Sequence, residues 1–364
     1  MFVAWRDLRF AKGRFALMGT VITLITLLVG LLSGLTAGLG RQNISAITGL
    51  PADRIAFAAP GPGQKLSYAD STVTARQWEQ WAKMPGVTRA EPLGITTTRA
   101  AAGDRSAAVC AFGVRPGSHL APDGGTIRGL TAVLSITAAA DLGVKPGDPF
   151  TLAGRKLTVA AVRGDASFSH TPVIWTGLTV WRQTAASGGA GDGAGPTATV
   201  IALNTTPGTD VPAADRAVGT RTVSKAGSLS AIGSYTSENG SLQLMRGFLF
   251  AISALVVGAF FTVWTIQRSG DIAVLKALGA STAHLLKDAL GQAAVLLAAG
   301  TLLGTGAAAA LGALVVKHAV PFVLTPATVL VPAAVMILLG TLGAALSVRR
   351  ITSVDPLTAL GSAR

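Results

Sequence analysis

Four stretches of this chain carry no Asp, Glu, Lys or Arg: between Arg14 and Arg41, Arg246 and Arg268, Asp288 and Lys317, and His318 and Arg349. Crossing the hydrocarbon core of a bilayer takes about 20 helical residues at 1.5 Å each, and each stretch is long enough. The last also holds Pro321, Pro326 and Pro332, so its span starts near Ala327. Only 13% of the residues are charged, against about 25% in soluble domains. The first stretch follows basic residues, as a signal peptide would. It exceeds the roughly 7–15 apolar residues of a signal core, and no small-residue cleavage site follows. It reads as a retained span. The expected organisation is a lead-in helix over 1–14, spans over 15–40, 247–267, 289–316 and 327–348, and a tail over 349–364. The fold class is therefore an α-helical membrane protein with one span, a large domain, then three spans.

Basic residues close to the spans set the orientation. The segment 1–14 holds Arg6, Arg9, Lys12 and Arg14, the 268–288 loop holds Arg268, Lys276 and Lys287, and the tail holds Arg349, Arg350 and Arg364. These three segments belong in the cytoplasm, and residues 41–243 form an extracytoplasmic domain of a cell-membrane protein. The net charge of +13 does not point to nucleic acid, because the remaining basic residues are spread among acids without a basic run or interleaved aromatics. Cys110 is the only cysteine, so no internal disulfide forms and the large domain is held by its own core. At about 200 residues it can build one, as two small lobes.

Taken in order, Trp5, Leu8, Ala11 and Phe15 share one arc of the lead-in helix, with Arg6, Arg9 and Arg14 elsewhere. This suits a helix on the inner membrane face that also touches a cytoplasmic partner, or a topology anchor alone. Gly30, Gly34 and Gly38 recur at four-residue spacing, giving the first span a face that another helix can approach closely. Gly300 and Gly304 repeat the pattern once. Beyond Arg41 the chain breaks into short β-prone pieces, at Arg54–Ala58, Gly94–Arg99, Ala107–Val114, Thr131–Ser135, Phe150–Leu152, Leu157–Val162, Val173–Thr176 and Thr199–Leu203. Helices are expected over Thr74–Lys83 and Thr137–Leu142, so the domain is α+β. Ser187–Pro196 is low-complexity and reads as a flexible loop.

The loop after the second span, QRSGDIAVLKALGAST from Gln267 to Thr282, suits a short interfacial helix. Gly279 is placed to stop that helix, and Ser281 or Thr282 to cap the next. A rigid helix there can pass on a push from a soluble partner; an ordinary connecting loop is the plainer reading. No GxxxxGK[ST], HExxH or GxSxG occurs, and the four histidines are scattered without ligand spacing. The spans lack the ionisable residues that build proton or ion relays. Energy, where it is used, should come from a partner, and the chain itself is not expected to be an enzyme.

The layout, together with RSGDIAVLKALGAS after the second span and RRITSVDPLTAL at the end, resembles the FtsX/MacB-type ABC transporter permeases. The resemblance implies a MacB-like core in the 41–243 domain and a separate ATPase, in two copies, that binds ATP and magnesium. It also implies a homodimer, which gives the Gly30, Gly34 and Gly38 face a use. Carried over residue by residue, Asp271, Lys276, Leu278 and Gly279 dock on that ATPase, with Arg6 and Arg9 on the lead-in helix alongside.

AWRDLRFAKGRFAL at the start and IGSYTSENGSLQLM before the second span resemble the haem-export permeases of the HrtB/DevC type. This implies an amphiphilic substrate, haem, expelled from the outer leaflet by force transmitted through the spans. Tyr235 and Glu238 then offer oxygen ligands to ferric iron, with Met245 about two turns further on. The bland alternatives are that Tyr235 anchors the membrane interface and Glu238 helps cap the second span. Export of a peptide, antibiotic or lipid, and FtsX-like signalling to an external cell-wall hydrolase, use the same frame.

Overall fold

The computed structural model describes residues 12–186, 197–267, 270, 274, 279, 281–315, 321–323 and 325–352. The lead-in segment up to residue 11 and the Ser187–Pro196 loop lie outside them. In chain order the first elements are α1 (Lys12–Thr48), β1 (Arg54–Ala58), β2 (Val73–Thr74), α2 (Ala75–Ala82), β3 (Val87–Ala102), β4 (Arg105–Val114), β5 (Thr131–Leu134) and α3 (Ile136–Leu142). There follow β6 (Pro149–Leu152), β7 (Arg155–Val162), β8 (Ser167–Phe168), β9 (Thr171–Gly177), α4 (Leu178–Ala186), β10 (Thr197–Ala198) and β11 (Val200–Thr205). The chain closes with α5 (Val211–Val218), β12 (Thr220–Ser224), α6 (Gly233–Gln267), α7 (Thr282–Val315) and α8 (Pro326–Thr352).

Four helices are long and apolar enough to cross a membrane: Ala16–Thr48, Gly233–Gln267, Leu290–Leu314 and Pro326–Gly343. The chain divides into two compact units, one of Met1–Gly38 with Ser241–Arg364, the other of Leu39–Gly240. Two helices run further than the uncharged stretches that announce them. α1 continues past Arg41 to Thr48, and α6 begins at Gly233, ahead of Arg246. A charge ends what lipid tolerates, whereas a helix continues wherever its backbone bonds and packing are kept.

In the membrane unit the small residues of α1 and α7 meet. A Cβ on Gly30 would stand 2.8 Å from that of Ala308, and one on Gly304 would press on Thr23 and Thr26. Gly34 and Gly312 both lie against the ring of Phe322, and Gly38 against the backbone of Pro321. The Val323 N–H donates to the Gly34 carbonyl at 3.1 Å. The Gly30, Gly34 and Gly38 face expected to pack closely does so against α7 and the 321–323 segment of the same chain. Close backbone approach through small residues is what holds helices together where lipid offers no hydrophobic drive.

The second unit is built on a ten-stranded sheet in the order β12-β1-β11-β3-β4-β9-β5-β7-β6, with β8 paired to β9. β6 also pairs with β3, at Ala100↔Leu152 and Ala101↔Thr151. Six strands (β3, β4, β9, β5, β7, β6) thus close into a ring. The two expected lobes are one compact unit, and sixteen-residue β3 belongs to both parts of its sheet. Its first half pairs with β11 and its second with β4. Strands unread in the sequence are β12 and the short β2, β8 and β10; α4 and α5 were unread as well.

Both faces of the sheet are buried. In β1, Ala56 joins one apolar cluster while Ile55 and Phe57 join the other; in β4, Val109 and Ala111 alternate with Cys110 and Phe112 in the same way. Period-two alternation puts each set on its own face. The second cluster takes in Ala46 and Ile47 from the end of α1 and Leu50 just beyond it. A chain of edge-on aromatic contacts runs through it from Phe57 to Tyr68, Phe168, Phe112 and Trp175, with ring centroids 4.8–5.8 Å apart.

Cys110 lies fully buried in this cluster, and burial pushes its thiol up to about 12, partly offset by hydrogen bonds to the Thr97 side chain and the Thr96 backbone. Burial raises the Tyr68 phenol as well, against a smaller lowering by Ser228. An acid whose pKa is raised by folding keeps its full contribution below the unfolded value. It loses that contribution as pH climbs toward the folded one, here from 9.0 to about 12, at about 1.4 kcal/mol per pH unit. Thermal unfolding between pH 8 and 10.5 should therefore show a steeper alkaline loss in the wild type than in Cys110→Ala. Maleimide should label Cys110 only on unfolding.

Candidate functional site

The hairpin β8–β9 turns through two residues, Ser169 and His170, with φ of 49° and 63°. Two left-handed residues define the turn type that normally recruits Asn-Gly, because a Cβ is strained there. Here both residues carry side chains that are used. The turn is pinned to α1: Ser169 N–H donates to the Asn43 carbonyl at 2.9 Å, His170 N–H to the Gln42 carbonyl at 3.2 Å, and Ser167 N–H to Ser45 Oγ at 2.9 Å.

Side chains then tie this corner to the first turns of α6. His170 Nε2 lies 2.8 and 3.0 Å from the two carboxylate oxygens of Glu238. Asn43, 2% exposed, places Nδ2 at 3.4 Å from Glu238 Oε2 while its Oδ1 accepts from Ser234 Oγ at 2.7 Å. Ser169 Oγ stands 2.9 Å from Ser234 Oγ. A carboxylate only accepts, so the directions are fixed. Ser169 donates to Ser234, Ser234 to Asn43, and Asn43 and His170 both donate to Glu238. Asn43 Nδ2 and His170 Nε2, themselves 3.2 Å apart, converge on the Glu238 carboxylate, whose side chain is still 43% exposed.

Of the residues singled out in the sequence, Glu238 sits at this corner. Tyr235, one turn before it on α6, is half-buried and packs against the second apolar cluster. Met245 is 53% exposed on the membrane part of α6, along with Leu244, Phe248 and Ile252. Gly279 adopts a left-handed φ of 93°, a conformation glycine takes freely, and α7 starts three residues on. Asp271, Lys276, Leu278, Arg6 and Arg9 lie outside the described residues.

His170 and Asn43 were not anticipated. They stand 68 and 195 residues from Glu238 in sequence, and local patterning carries no trace of the pairing. A second such pair joins His119 Nδ1 to Glu91 Oε1 at 2.6 Å, with Ser118 Oγ on the other carboxylate oxygen. Among the described residues no group of three or more His, Cys, Asp or Glu is arranged to hold a metal ion.

Comparison with known proteins adds the following. Residues 244–356 match the family described as FtsX-like permease C-terminal, and residues 16–221 match that described as MacB-like periplasmic core domain. A putative hemin transport system permease protein HrtB from Staphylococcus haemolyticus is 25% identical over 366 residues, covering 99% of each chain. An uncharacterized ABC transporter permease from Mycobacterium tuberculosis is 26% identical over 375 residues, again covering 99% of each. The extracellular domain of the ABC-type transporter YknZ from Gram-positive bacteria aligns with 47% of the chain and 99% of its own length, at 10% identity and a TM-score of 0.35.

Proposed function

The chain belongs to the MacB/FtsX-type family of ABC transporter permeases, and we propose that it is the membrane subunit of an ATP-driven exporter of haem. The observation that carries this reading is the Glu238 carboxylate, held by His170 and Asn43 and still partly open. The end-to-end likeness to a protein named for hemin transport supports it. A carboxylate is a hard oxygen donor suited to ferric iron. Tyr235 and Met245 are further candidate contacts for the porphyrin.

In this proposal a homodimer binds two copies of a separate ATPase on the cytoplasmic side of the cell membrane, and ATP with magnesium is bound there. Arg6, Arg9, Asp271, Lys276, Leu278 and Gly279 form the docking surface. The closing of the ATPases then works through α1 and α6, which run unbroken into the extracellular domain. The substrate leaves from the outer leaflet without a path through the membrane centre.

The test is haemin titration of the full-length protein in lipid nanodiscs, followed by absorbance, with ATPase turnover of the complex measured in parallel. The expected result is saturable binding with a shifted Soret band that accelerates turnover, and loss of both in Glu238→Gln. Absence of binding in the wild type would overturn the haem assignment. Because the same two rods suit a mechanical signal as well as export, an envelope defect on gene loss would then favour signalling to a cell-wall hydrolase. Sensitivity to an added peptide or lipid would favour export of that class.

A further inference from the structure

We propose that His170 is a positioning residue for Glu238, which it presents as a preset anionic ligand to the iron of the porphyrin; this rests on the haem reading above. The β8–β9 turn carries a local misfit. A two-residue turn with both φ values positive favours Asn-Gly, and this chain places Ser169 and His170 there, at φ of 49° and 63°. Strain of this kind persists where surrounding structure imposes it, and it gathers at functional positions.

Packing does not account for the choice. The hairpin is already fixed through backbone and Ser45 bonds to α1, none of which needs an imidazole. What the imidazole adds is a pair of contacts from Nε2, at 2.8 and 3.0 Å, to the Glu238 carboxylate, beside the Asn43 amide nitrogen at 3.2 Å. Straddling both oxygens, Nε2–H fixes the plane of that group, and Asn43 fixes it from a second direction at 3.4 Å. Asn43 in turn is held by Ser234, and Ser234 by Ser169. The other strained turn residue therefore reaches the same carboxylate through two intermediaries. Both departures from glycine-like turn chemistry serve one acceptor.

A ligand fixed before its metal arrives does not pay for ordering on binding. Partners that orient a metal ligand are worth about 10- to 100-fold in affinity. The same geometry leaves the carboxylate with acceptor capacity, since each oxygen offers two lone pairs and the side chain keeps 43% of its exposure.

His170→Gly is the informative variant, because glycine suits φ near 63° and the turn keeps every backbone bond. In full-length protein in nanodiscs, haemin titration should show affinity lowered about 10- to 100-fold, with a heterogeneous ferric electron paramagnetic resonance signal in place of a single high-spin species. His170→Gln, which restores a donor, should recover most of the affinity and the single signal. Adding His170→Gly to Glu238→Gln should cause no further loss, since one residue acts through the other. If His170→Gly binds haemin with wild-type affinity and spectrum, the positioning role is wrong while the haem reading stands. If His170→Gly and His170→Gln lose binding alike and melt early, the role is structural and the proposal also falls. A wild type that binds no haemin removes the haem reading, and this inference with it.

Discussion

Gly38→Val is expected to prevent the membrane unit from assembling. A Cβ at that position overlaps the Pro321 carbonyl and comes within 2.9 Å of the Phe322 amide nitrogen. Both obstacles are backbone, so no rotamer change relieves them. At Gly34 the obstacle is the Phe322 ring, which also lies against Gly312. Overpacking of this kind costs about 1–3 kcal/mol where side chains can adjust, and more where they cannot. The two glycines thus separate by their rescue. Phe322→Ala should restore the yield and thermal midpoint of Gly34→Ala, measured after detergent extraction and size exclusion. It should leave Gly38→Val unrecovered. Rescue of Gly38→Val by Phe322→Ala would show that the 321–323 turn does not approach α1 through its backbone.

The second large effect concerns the extracellular domain. Trp81 on α2 is fully buried and its Nε1–H donates to Thr220 Oγ1 at 3.0 Å. Thr220 Oγ1 in turn donates to Asp215 Oδ1 at 2.8 Å, and Asp215 also accepts from the Thr222 backbone and hydroxyl. One indole therefore fastens α2, α5 and β12 together. Trp81→Ala removes the ring volume and the donor at once, for about 3–5 kcal/mol. In a domain of this size that lowers the unfolding midpoint by roughly 6–20 °C. Trp81→Phe keeps most of the volume and should recover more than half of the loss. A Trp81→Ala midpoint within about 2 °C of wild type would mean that the cluster closes over the gap.

The membrane layout was legible because lipid imposes a rule on single residues: a run without charges either spans or does not fold in place. Strands such as Arg54–Ala58 were legible for a similar reason, being short apolar runs with turn residues at each end. The ends of α1 and α6 were not. Arg41 and Arg246 mark where lipid stops, and nothing in the sequence marks that the helices go on to Thr48 and back to Gly233. α5 did carry local signals, with Asp210 capping its start, a proline in its first turn and left-handed Gly219 at its end. It was passed over because it is only eight residues long, and Asp215 is buried through partners that come together only in the fold. Glu238 was found and its setting was not. Asn43 and His170 reach it across 195 and 68 residues, and Ser-His is not a recognisable hairpin turn. The glycine row was read correctly as a close-approach face; which surface approaches it depended on a turn nearly 300 residues away.

β3 has a mechanical consequence. Ladder bonds run across the strands, so tension along β3 loads its bonds to β11 and β4 side by side, in shear, and they yield together. A pull across the strand would open them one after another, like a zip. A strand shared by the ring and the open part of the sheet therefore resists extension along its own axis. Bending is easier across that axis, where the ladder bonds open singly.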